Sequence, residues 1–364
     1  MHTKLPALKK IFYSLTCLTI LLAFPNKASA QLTVNPGVTA ASLISSLIGQ
    51  GVTVNNVVIN CPTNAYGTFS NGASTNMGIS NGIIMTSGSA VNAIGPNNST
   101  SSGTCNGTIA NDPDLQSLEP LATNDPCIIE FDIVPSCTNL QIRFVFGSEE
   151  YPEFVSSGFN DAFGFFVTGP GPACQPNFYN NTNVATLPDN TTIVSIDNIN
   201  AGNNNTFYVD NTGGSTIQYD GFTTVLTRNV SLCPCATYHW KLAIADAGDC
   251  IYDSGVFVDF IACSNALTIT PTQTNSDCSG CNGTAALNTS GGIGPISYVW
   301  SPNPSTGQGT NAAGGLCPGT YTCTVTDNGL PCSASQTQTF TIINSGTLTV
   351  SGTSTAASCS ANDG

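Results

Sequence analysis

The sequence predicts an all-β protein with a large jelly-roll-like β-sandwich head, followed by immunoglobulin-like β-sandwich repeats. Three observations support this fold class. Apolar and aromatic runs are short and alternate with turn-forming segments, and the 364 residues include 36 glycines and 21 prolines. Only 8% of the residues are charged, which is unlike the composition of long helices. The composition also shifts near residue 263, and a sequence repeat begins there.

The head is predicted to contain one helix and about ten short strands. The helix spans Thr39–Gly51, where Leu43, Leu47 and Ile48 recur with helical spacing before a glycine. The segment Ala93–Gly107 is predicted to be a surface loop. The predicted strands are Val52–Ile59, Gly82–Thr86, Cys127–Val134, Asn139–Phe146, Phe163–Val167, Thr191–Asp197, Thr206–Asp210, Gly221–Asn229, Thr237–Ala245 and Gly255–Ala262.

The repeat is recognised by aligning residues 267–283 with residues 348–364. The offset is 81 residues, and seven of the 17 aligned positions are identical, with Cys278 on Cys359. The first copy contains five predicted strands and Trp300 as a core residue, which predicts an immunoglobulin-like sandwich. The predicted domains are a signal peptide (1–30), the head (31–264), one repeat (265–344) and the start of a second, truncated repeat (345–364).

The first 30 residues predict a secretory signal peptide. Lys4, Lys9 and Lys10 form a basic region, Ile11–Phe24 is apolar, and Ala28–Ala30 is a small-residue cleavage site. The apolar run is too short to predict a membrane span. The mature chain is therefore predicted to start at the next residue and to be exported, with no transmembrane segment.

The mature chain is strongly acidic. Four of the seven basic residues lie in the first 30, leaving Arg143, Arg228 and Lys241 against 21 acidic residues, a formal charge of −18. This balance argues against binding to nucleic acid and to anionic membranes. It suits an extracellular protein that stays soluble and meets divalent cations.

Cysteine usage also fits export. Fifteen cysteines follow the signal peptide, and an oxidising compartment predicts disulfides whose pairing the sequence leaves open. The odd count predicts one unpaired thiol, for which Cys359 is the candidate. A zinc site is disfavoured because the pairs Cys233/Cys235 and Cys278/Cys281 lack correctly spaced partner pairs.

Two acidic clusters predict a calcium site. The first lies between two aromatic strands in Phe144–Gly169, and the second lies in Asp246–Asp253. Carboxylate and amide oxygens that meet where strands end are the ligands that Ca²⁺ prefers. The alternative is two separate turns closed by Asp side chains. The predicted ligands are Glu149, Glu150, Asn160, Asp161, Asp246, Asp249 and Asp253.

Enzymatic chemistry has weaker support. The mature chain has one histidine, His239, in a predicted strand, and it has no nucleophile-elbow pattern. A glycoside hydrolase that uses two of Glu149, Glu150, Glu153 and Asp161 is the alternative considered. A carbohydrate-binding sandwich is favoured over this, with Tyr151, Phe154, Tyr179 and Tyr252 as candidate aromatic contacts.

Four ordered blocks resemble the choice-of-anchor L domain of secreted bacterial surface proteins. They are Phe144–Val155, Phe159–Phe166, Tyr219–Leu226 and Leu242–Phe257, and the resemblance spans Gln31–Cys263. It implies an exported β-rich module without enzymatic activity, in a family whose members carry different C-terminal surface-sorting signals.

The following segment is similar to the SprB-type repeat of gliding-motility adhesins. The similarity rests on Gly291-Gly292, Tyr298–Trp300, Leu316–Tyr321 and Val325–Asp327, and Cys323 departs from the pattern. We therefore expect a bacterial cell-surface or matrix adhesion protein that binds an extracellular glycan or a surface protein. Further repeats and a C-terminal sorting domain are expected beyond residue 364.

Overall fold

The computed structural model describes residues 31–107, 109–277, 280–329, 334–345 and 352. The protein is nearly all β, with 46% strand and 9% helix, which confirms the predicted fold class. The signal peptide, Cys278, Cys359 and the second repeat copy lie outside the described residues. No helix in the described part of the chain is long and apolar enough to cross a membrane.

The elements follow the chain in this order: β1 (Thr33–Pro36), α1 (Ala40–Leu47), β2 (Val52–Asn60), β3 (Tyr66–Ser70), β4 (Gly82–Thr86), α2 (Pro113–Leu118), β5 (Ala122–Pro135), β6 (Asn139–Ser148), β7 (Ala162–Gly169), β8 (Tyr179–Asn183), β9 (Tyr208–Asp210), β10 (Gly221–Thr223), β11 (Leu226–Ser231), β12 (Tyr238–Ala247), β13 (Ser254–Cys263), β14 (Thr268–Thr274), β15 (Gly283–Ser290), β16 (Ile296–Ser301), β17 (Ala312–Leu316), β18 (Gly319–Asp327) and β19 (Ala334–Ile342). Short 3₁₀ turns lie at Gly72–Ser74, Ala90–Ala93, Pro172–Cys174 and Asn205–Phe207.

Two antiparallel sheets form the head. One has the order β1-β3-β4-β13-β6-β10-β9, with β11 also paired to β6, and the other has the order β2-β5-β12-β7-β8. The apolar faces of both sheets meet in one core, in which Phe144 of β6 packs against Phe163 and Phe165 of β7 at ring-centroid distances of 5.6 and 5.2 Å. Burial of aromatic rings of this size is the main stabilising contribution to such a core.

The repeat forms two three-stranded sheets, β14-β15-β17 and β16-β18-β19, as in an immunoglobulin-like sandwich. Trp300 is buried, and its ring lies 5.4 Å from that of Phe340. Cys323 lies opposite Trp300 in the register and is a buried free thiol, so the tryptophan faces no disulfide at that position. The boundaries of head and repeat remain a prediction.

Several predicted strands need correction. Thr191–Asp197 forms no strand, because Asp189 accepts hydrogen bonds from the main chain of Thr191 and Thr192 and starts a turn there. Its apolar side chains still fill the core. The predicted Gly221–Asn229 strand is split into β10 and β11. The strands β1, β3, β8 and β17 were missed because they are short or rich in Gly and Asn.

The predicted helix is confirmed as α1. Thr39 caps it by accepting a hydrogen bond from Ser42 N, and Leu43 and Leu47 point into the core. The second helix, α2, begins after Asp112, which caps it by accepting from two main-chain N–H groups. Helix α2 lies on the outer face of the second sheet, where Leu115 is buried.

The two ends of the head differ in what they connect. Strand β13 runs from Ser254 at one end to Cys263 at the other, and the repeat begins at β14 a few residues later. A ten-residue strand spans roughly 30 Å. We call the end at Ser254 the distal end, because it lies one strand length from the exit to the repeat.

Candidate metal centre

Three neighbouring strands of the first sheet place acidic residues side by side at the distal end. Strand β6 ends at Ser148, which pairs with Ser254 at the start of β13 and with Gly221 at the start of β10. Residues at equivalent positions on paired strands point to the same face of a sheet. The residues one step outward on β13, β6 and β10 are Asp253, Glu149 and Asp220.

The second sheet contributes a second row of acidic residues at the same end. Strand β7 begins one residue after Asp161, and its register with β12 places Asp161 beside Asp246. On the other side of β12, Asn124 pairs with Asp246, and Asp125 follows it. The hydroxyl of Ser254 donates to Asp161 Oδ2 at 2.6 Å and thereby links the two rows. The distal end therefore collects carboxylates from both sheets.

These carboxylates are buried and incompletely hydrogen-bonded. Glu149, Glu150, Asp161, Asp246 and Asp253 are each at most 2% exposed. Both oxygens of Asp246, Oε1 of Glu149 and Oε2 of Glu150 have no hydrogen-bond partner. A buried carboxylate without a partner is strongly unfavourable unless it binds a proton or a cation.

No basic side chain in the described part of the chain forms an ion pair with this group. Each basic residue after residue 30 has contacts elsewhere. Arg143 binds Asp259, Lys241 binds Asp112 and Asp114, His239 contacts Glu130 and Asp132, and the Arg228 Nε donates to the carbonyl of Val184. The negative charge at the distal end therefore has no compensation from the protein's own cations.

Burial raises the pKa of these carboxyl groups. The pKa of Glu149 rises to about 8, that of Glu150 to about 9, and those of Asp161 and Asp253 to about 7. For Asp246, burial and then the charges of Asp161 and Asp253 raise the pKa well above its ordinary value. Without a cation these groups hold protons close to neutral pH, and a divalent cation would displace them.

The segment from residue 88 to residue 107, which includes the predicted surface loop Ala93–Gly107, lies over this group. Asp253 accepts hydrogen bonds from Ser89 N, Thr104 N and the Asn92 side chain. A Cβ at Gly88 would lie 1.8 Å from Asp253 Oδ2, so only glycine allows the main chain to come this close. Asp253 thus holds the covering segment through satisfied hydrogen bonds.

A disulfide also fixes the covering segment to the rest of the head. Cys105 in the covering segment is bonded to Cys250, which lies between Asp249 and Asp253. Asp125 has one oxygen close to these two sulfurs, but disulfide sulfurs are not thiolate ligands, so this trio is no metal site. Four other disulfides lie in the described residues: Cys61–Cys127, Cys137–Cys263, Cys174–Cys233 and Cys281–Cys317.

The predicted ligands are only partly brought together. Glu149, Glu150, Asp161, Asp246 and Asp253 share the distal end, and Asp249 lies near Glu150 at its surface. The Asn160 side chain instead donates to Glu119 and accepts from Asp197 N. Within the described residues, no three of these carboxylates each place an oxygen within 4.8 Å of the others. The seven-residue calcium shell remains a prediction.

Two acidic members of the distal end were missed in the sequence. Asp220 and Asp125 are each 3% exposed. Asp220 stands alone between Tyr219 and Gly221, and only the strand register brings it beside Glu149. Asp125 adopts a positive φ of 47° inside β5, an irregularity that no local sequence pattern indicates.

An aromatic group lies on the surface of the same end. Phe154 packs against Phe159 and Tyr252 at ring-centroid distances of 5.3 and 4.9 Å, and all three are half-buried. Tyr151 must be removed from the candidate glycan contacts, because it is fully buried and donates to a main-chain carbonyl. The Tyr179 hydroxyl also donates a hydrogen bond to a main-chain carbonyl, in β11.

Two cavities lie at opposite ends of the head. A cavity of about 40 Å³ lies beside Asn160 and Asp161. It has room for water molecules and is too small for a sugar ring. A larger cavity of about 440 Å³ lies near Val134–Ser136 and Ala266-Leu267, at the end of the head from which the repeat continues.

Comparison with known proteins identifies the head. No curated protein matches the chain. A crystal structure of a β-1,2-glucanase from Parabacteroides distasonis aligns with 66% of this chain at 10% identity and a TM-score of 0.13, which supports no inference. This chain spans 34% of the length of that structure. The family model of the choice-of-anchor L domain matches residues 33–262, which points to an extracellular or surface protein. The chain belongs to the choice-of-anchor L domain family.

Proposed function

We propose that this protein is a cell-surface recognition or adhesion protein whose head binds Ca²⁺ at the distal end. The observation that carries the proposal is the group of buried carboxylates at this end, which lack basic partners and retain oxygens without hydrogen bonds. Bound calcium would replace the protons, remove the repulsion between the carboxylates, and rigidify the loops that they support.

Asp161 and Asp246 are the proposed centre of the calcium position. They lie side by side, and both oxygens of Asp246 are free. The Ser87 hydroxyl donates to the carbonyl of Ser254 at 3.2 Å. Water in the neighbouring cavity can complete the six to eight ligands of Ca²⁺.

The recognition surface is proposed to lie at the same end. Phe154, Phe159 and Tyr252 form a half-exposed aromatic group there, and Ile251 beside them is 50% exposed. Aromatic rings next to polar and acidic groups suit the apolar face and the hydroxyls of a sugar. A glycan is therefore the proposed ligand class.

The repeat is proposed to be an SprB-type spacer that separates this surface from the cell. Its small core is supplemented by the Cys281–Cys317 disulfide. Export through the N-terminal segment, and attachment through a sorting domain that follows the repeats, belong to the same proposal.

Calcium binding is tested by thermal unfolding of residues 31–364 in excess calcium and in chelator. A ligand present at 100 times its Kd stabilises the folded state by about 2.7 kcal/mol. We expect Asp246→Asn to reduce this stabilisation and Glu153→Gln to retain it in full, because Glu153 is exposed at the same end. An equal Tm in calcium and chelator would refute the calcium position.

Glycan binding is tested on a glycan array with the wild-type chain in calcium and with Phe154→Ala. We expect binding to a defined set of sugars that Phe154→Ala weakens about threefold to tenfold, since an aromatic contact contributes about 0.5–1.5 kcal/mol. Phe178→Ala is the matched control, because Phe178 is 50% exposed and lies outside the aromatic group. Equal loss in both variants would contradict the proposed surface.

A further inference from the structure

Glu149 and Asp220 form an acidic pair of their own in the first sheet. Ser148 pairs with Gly221, so Glu149 and Asp220 are neighbours on β6 and β10. They are 1% and 3% exposed, and the charge of Asp220 adds to burial in raising the pKa of Glu149. No basic side chain among the described residues forms an ion pair with either of them.

In each carboxylate of the pair, one oxygen accepts a hydrogen bond and the other has no partner. Glu149 Oε2 accepts from Ser102 N at 3.2 Å, and Asp220 Oδ1 accepts from the Asn97 side chain at 2.7 Å. The second oxygens, Glu149 Oε1 and Asp220 Oδ2, are buried and have no partner. One segment of chain, residues 97–102, thus binds the outer oxygen of each carboxylate and leaves one oxygen of each unoccupied.

The surroundings supply further neutral oxygens. Gln218, which is 5% exposed, donates to Ser99 O at 2.8 Å and to Asn97 Oδ1 at 3.4 Å, so its amide is fixed beside the pair. Its Oε1 accepts only a long hydrogen bond of 3.4 Å from Asn98 N. Carboxylate oxygens with amide and main-chain oxygens are a ligand set for a hard cation.

This pair is not part of the position centred on Asp161 and Asp246. Opposite ligands of one Ca²⁺ are separated by about twice 2.4 Å. No three carboxylates of the distal end meet within 4.8 Å in the described chain. Asp253, which lies between the two pairs, already accepts three hydrogen bonds from the covering segment.

We propose that Glu149 and Asp220 hold a second divalent cation, beneath residues 97–102. Binding there would fix the middle of the covering segment, while the disulfide of Cys105 fixes its end. The residues differ from those of the first position, so this inference can fail while calcium binding at Asp161 and Asp246 stands.

The test is the calcium stoichiometry of residues 31–364, measured by isothermal titration with CaCl₂ after chelator treatment. We expect two ions per wild-type chain, and one each for Asp220→Asn and for Asp246→Asn. Two ions in Asp220→Asn, or one in the wild type that Asp220→Asn retains, would overturn the second position alone. No ion in the wild type would overturn both positions.

A second measurement covers the case in which Asp220→Asn does not fold. Tyr219 precedes Asp220, and its buried hydroxyl accepts and donates no hydrogen bond. Tyr219→Phe therefore preserves the packing while removing a tyrosine that lies near Glu149 and also near Asp246. The measurement is made in the Asp246→Asn chain, which lacks the first position, and there we expect bound Tb³⁺ to lose a large part of its tyrosine-excited emission when Tyr219→Phe is added, at unchanged stoichiometry. Unchanged emission would overturn the second position.

Discussion

The head contains two groups of buried carboxylates that are neutralised in different ways. Under α2, Asp112 and Asp114 surround the Lys241 ammonium, with Asp112 Oδ1 and Oδ2 at 3.0 and 2.9 Å from Nζ. At the distal end, Asp161 and Asp246 have no basic side chain in contact within the described chain. Lys241 and Asp246 lie in the same strand, β12, yet only the first group carries its own cation.

The difference shows which part of the head depends on its surroundings. Burial by itself lowers the pKa of Lys241, but the hydrogen bonds and charges of Asp114 and Asp112 outweigh it and raise the pKa. That group is complete at any physiological pH. We propose that the distal end takes protons or metal ions from solution, so that its loops respond to pH and calcium.

The largest effect is expected from removing the internal cation. Lys241→Met leaves Asp112 and Asp114 buried without compensation, and breaking a buried ion pair typically costs about 3–5 kcal/mol. Chemical denaturation of residues 31–364 should show this loss equally in calcium and in chelator.

The matched control replaces the acids as well. The triple variant Lys241→Met, Asp112→Asn, Asp114→Asn should recover most of the loss, because no buried charge is then left unpaired. A Lys241→Met chain as stable as the wild type would show that the two groups do not differ as described.

The second prediction concerns a charge removed at the distal end. In chelator at pH 8, Asp246→Asn should stabilise the head by roughly 1–2 kcal/mol, because it removes a buried carboxyl group that is unfavourable there both when it is charged and when it must take up a proton far above its unfolded pKa. In excess calcium the same variant should be less stable than the wild type, because it lacks the Asp246 carboxylate that binds the ion. Denaturant midpoints under the two conditions test this change of sign, and a destabilisation under both would contradict it.

Much of this comparison was visible in the sequence, and some of it was not. Glu149, Asp161, Asp246 and Asp253 follow or precede apolar runs, and that position at strand ends suffices to predict that they meet. The role of Asp220 depends on which strands pair, a long-range property that local periodicity does not carry. Likewise, Thr191–Asp197 has the composition of a strand. The turn that precedes the segment prevents a strand, and its apolar side chains pack in the core without regular structure.

The third prediction is the pH dependence of the metal-free protein. The pKa values of Asp161 and Asp253 are about 7 when folded, and those of Glu149 and Glu150 are about 8 and 9, against ordinary values of 3.8 for Asp and 4.5 for Glu. At a pH between the ordinary pKa and the folded pKa of each group, the folded state holds more protons than the unfolded state. Stability therefore falls as the pH rises through this range.

Thermal unfolding in chelator from pH 5 to pH 9 should therefore show a steadily decreasing Tm. In excess calcium the decrease should be smaller, because the metal replaces the protons and binds better when they are absent. A Tm in chelator that rises across this range would contradict protonated carboxylates at the distal end.

The smallest effect is expected in the repeat, where a third buried acid is neutralised by neither lysine nor metal. Asp327 is 1% exposed and accepts hydrogen bonds from Gly329 N, Ile293 N and Gly294 N at 2.9, 2.7 and 3.0 Å. Burial raises its pKa, but these donors outweigh burial, and the net pKa is lowered. A carboxylate satisfied by main-chain donors needs no counterion.

Asp327→Asn should therefore cost about 1–2 kcal/mol locally, since one acceptor oxygen becomes an amide donor facing main-chain N–H groups. Hydrogen exchange of the main chain at Ile293 and Gly294 measures the loss, which should be the same in calcium and in chelator. Because the pKa is lowered on folding, this contribution is present above the unfolded pKa and disappears only as the pH falls through the folded one. Calcium-dependent protection at these amides would mean that metal sensitivity is not confined to the distal end of the head.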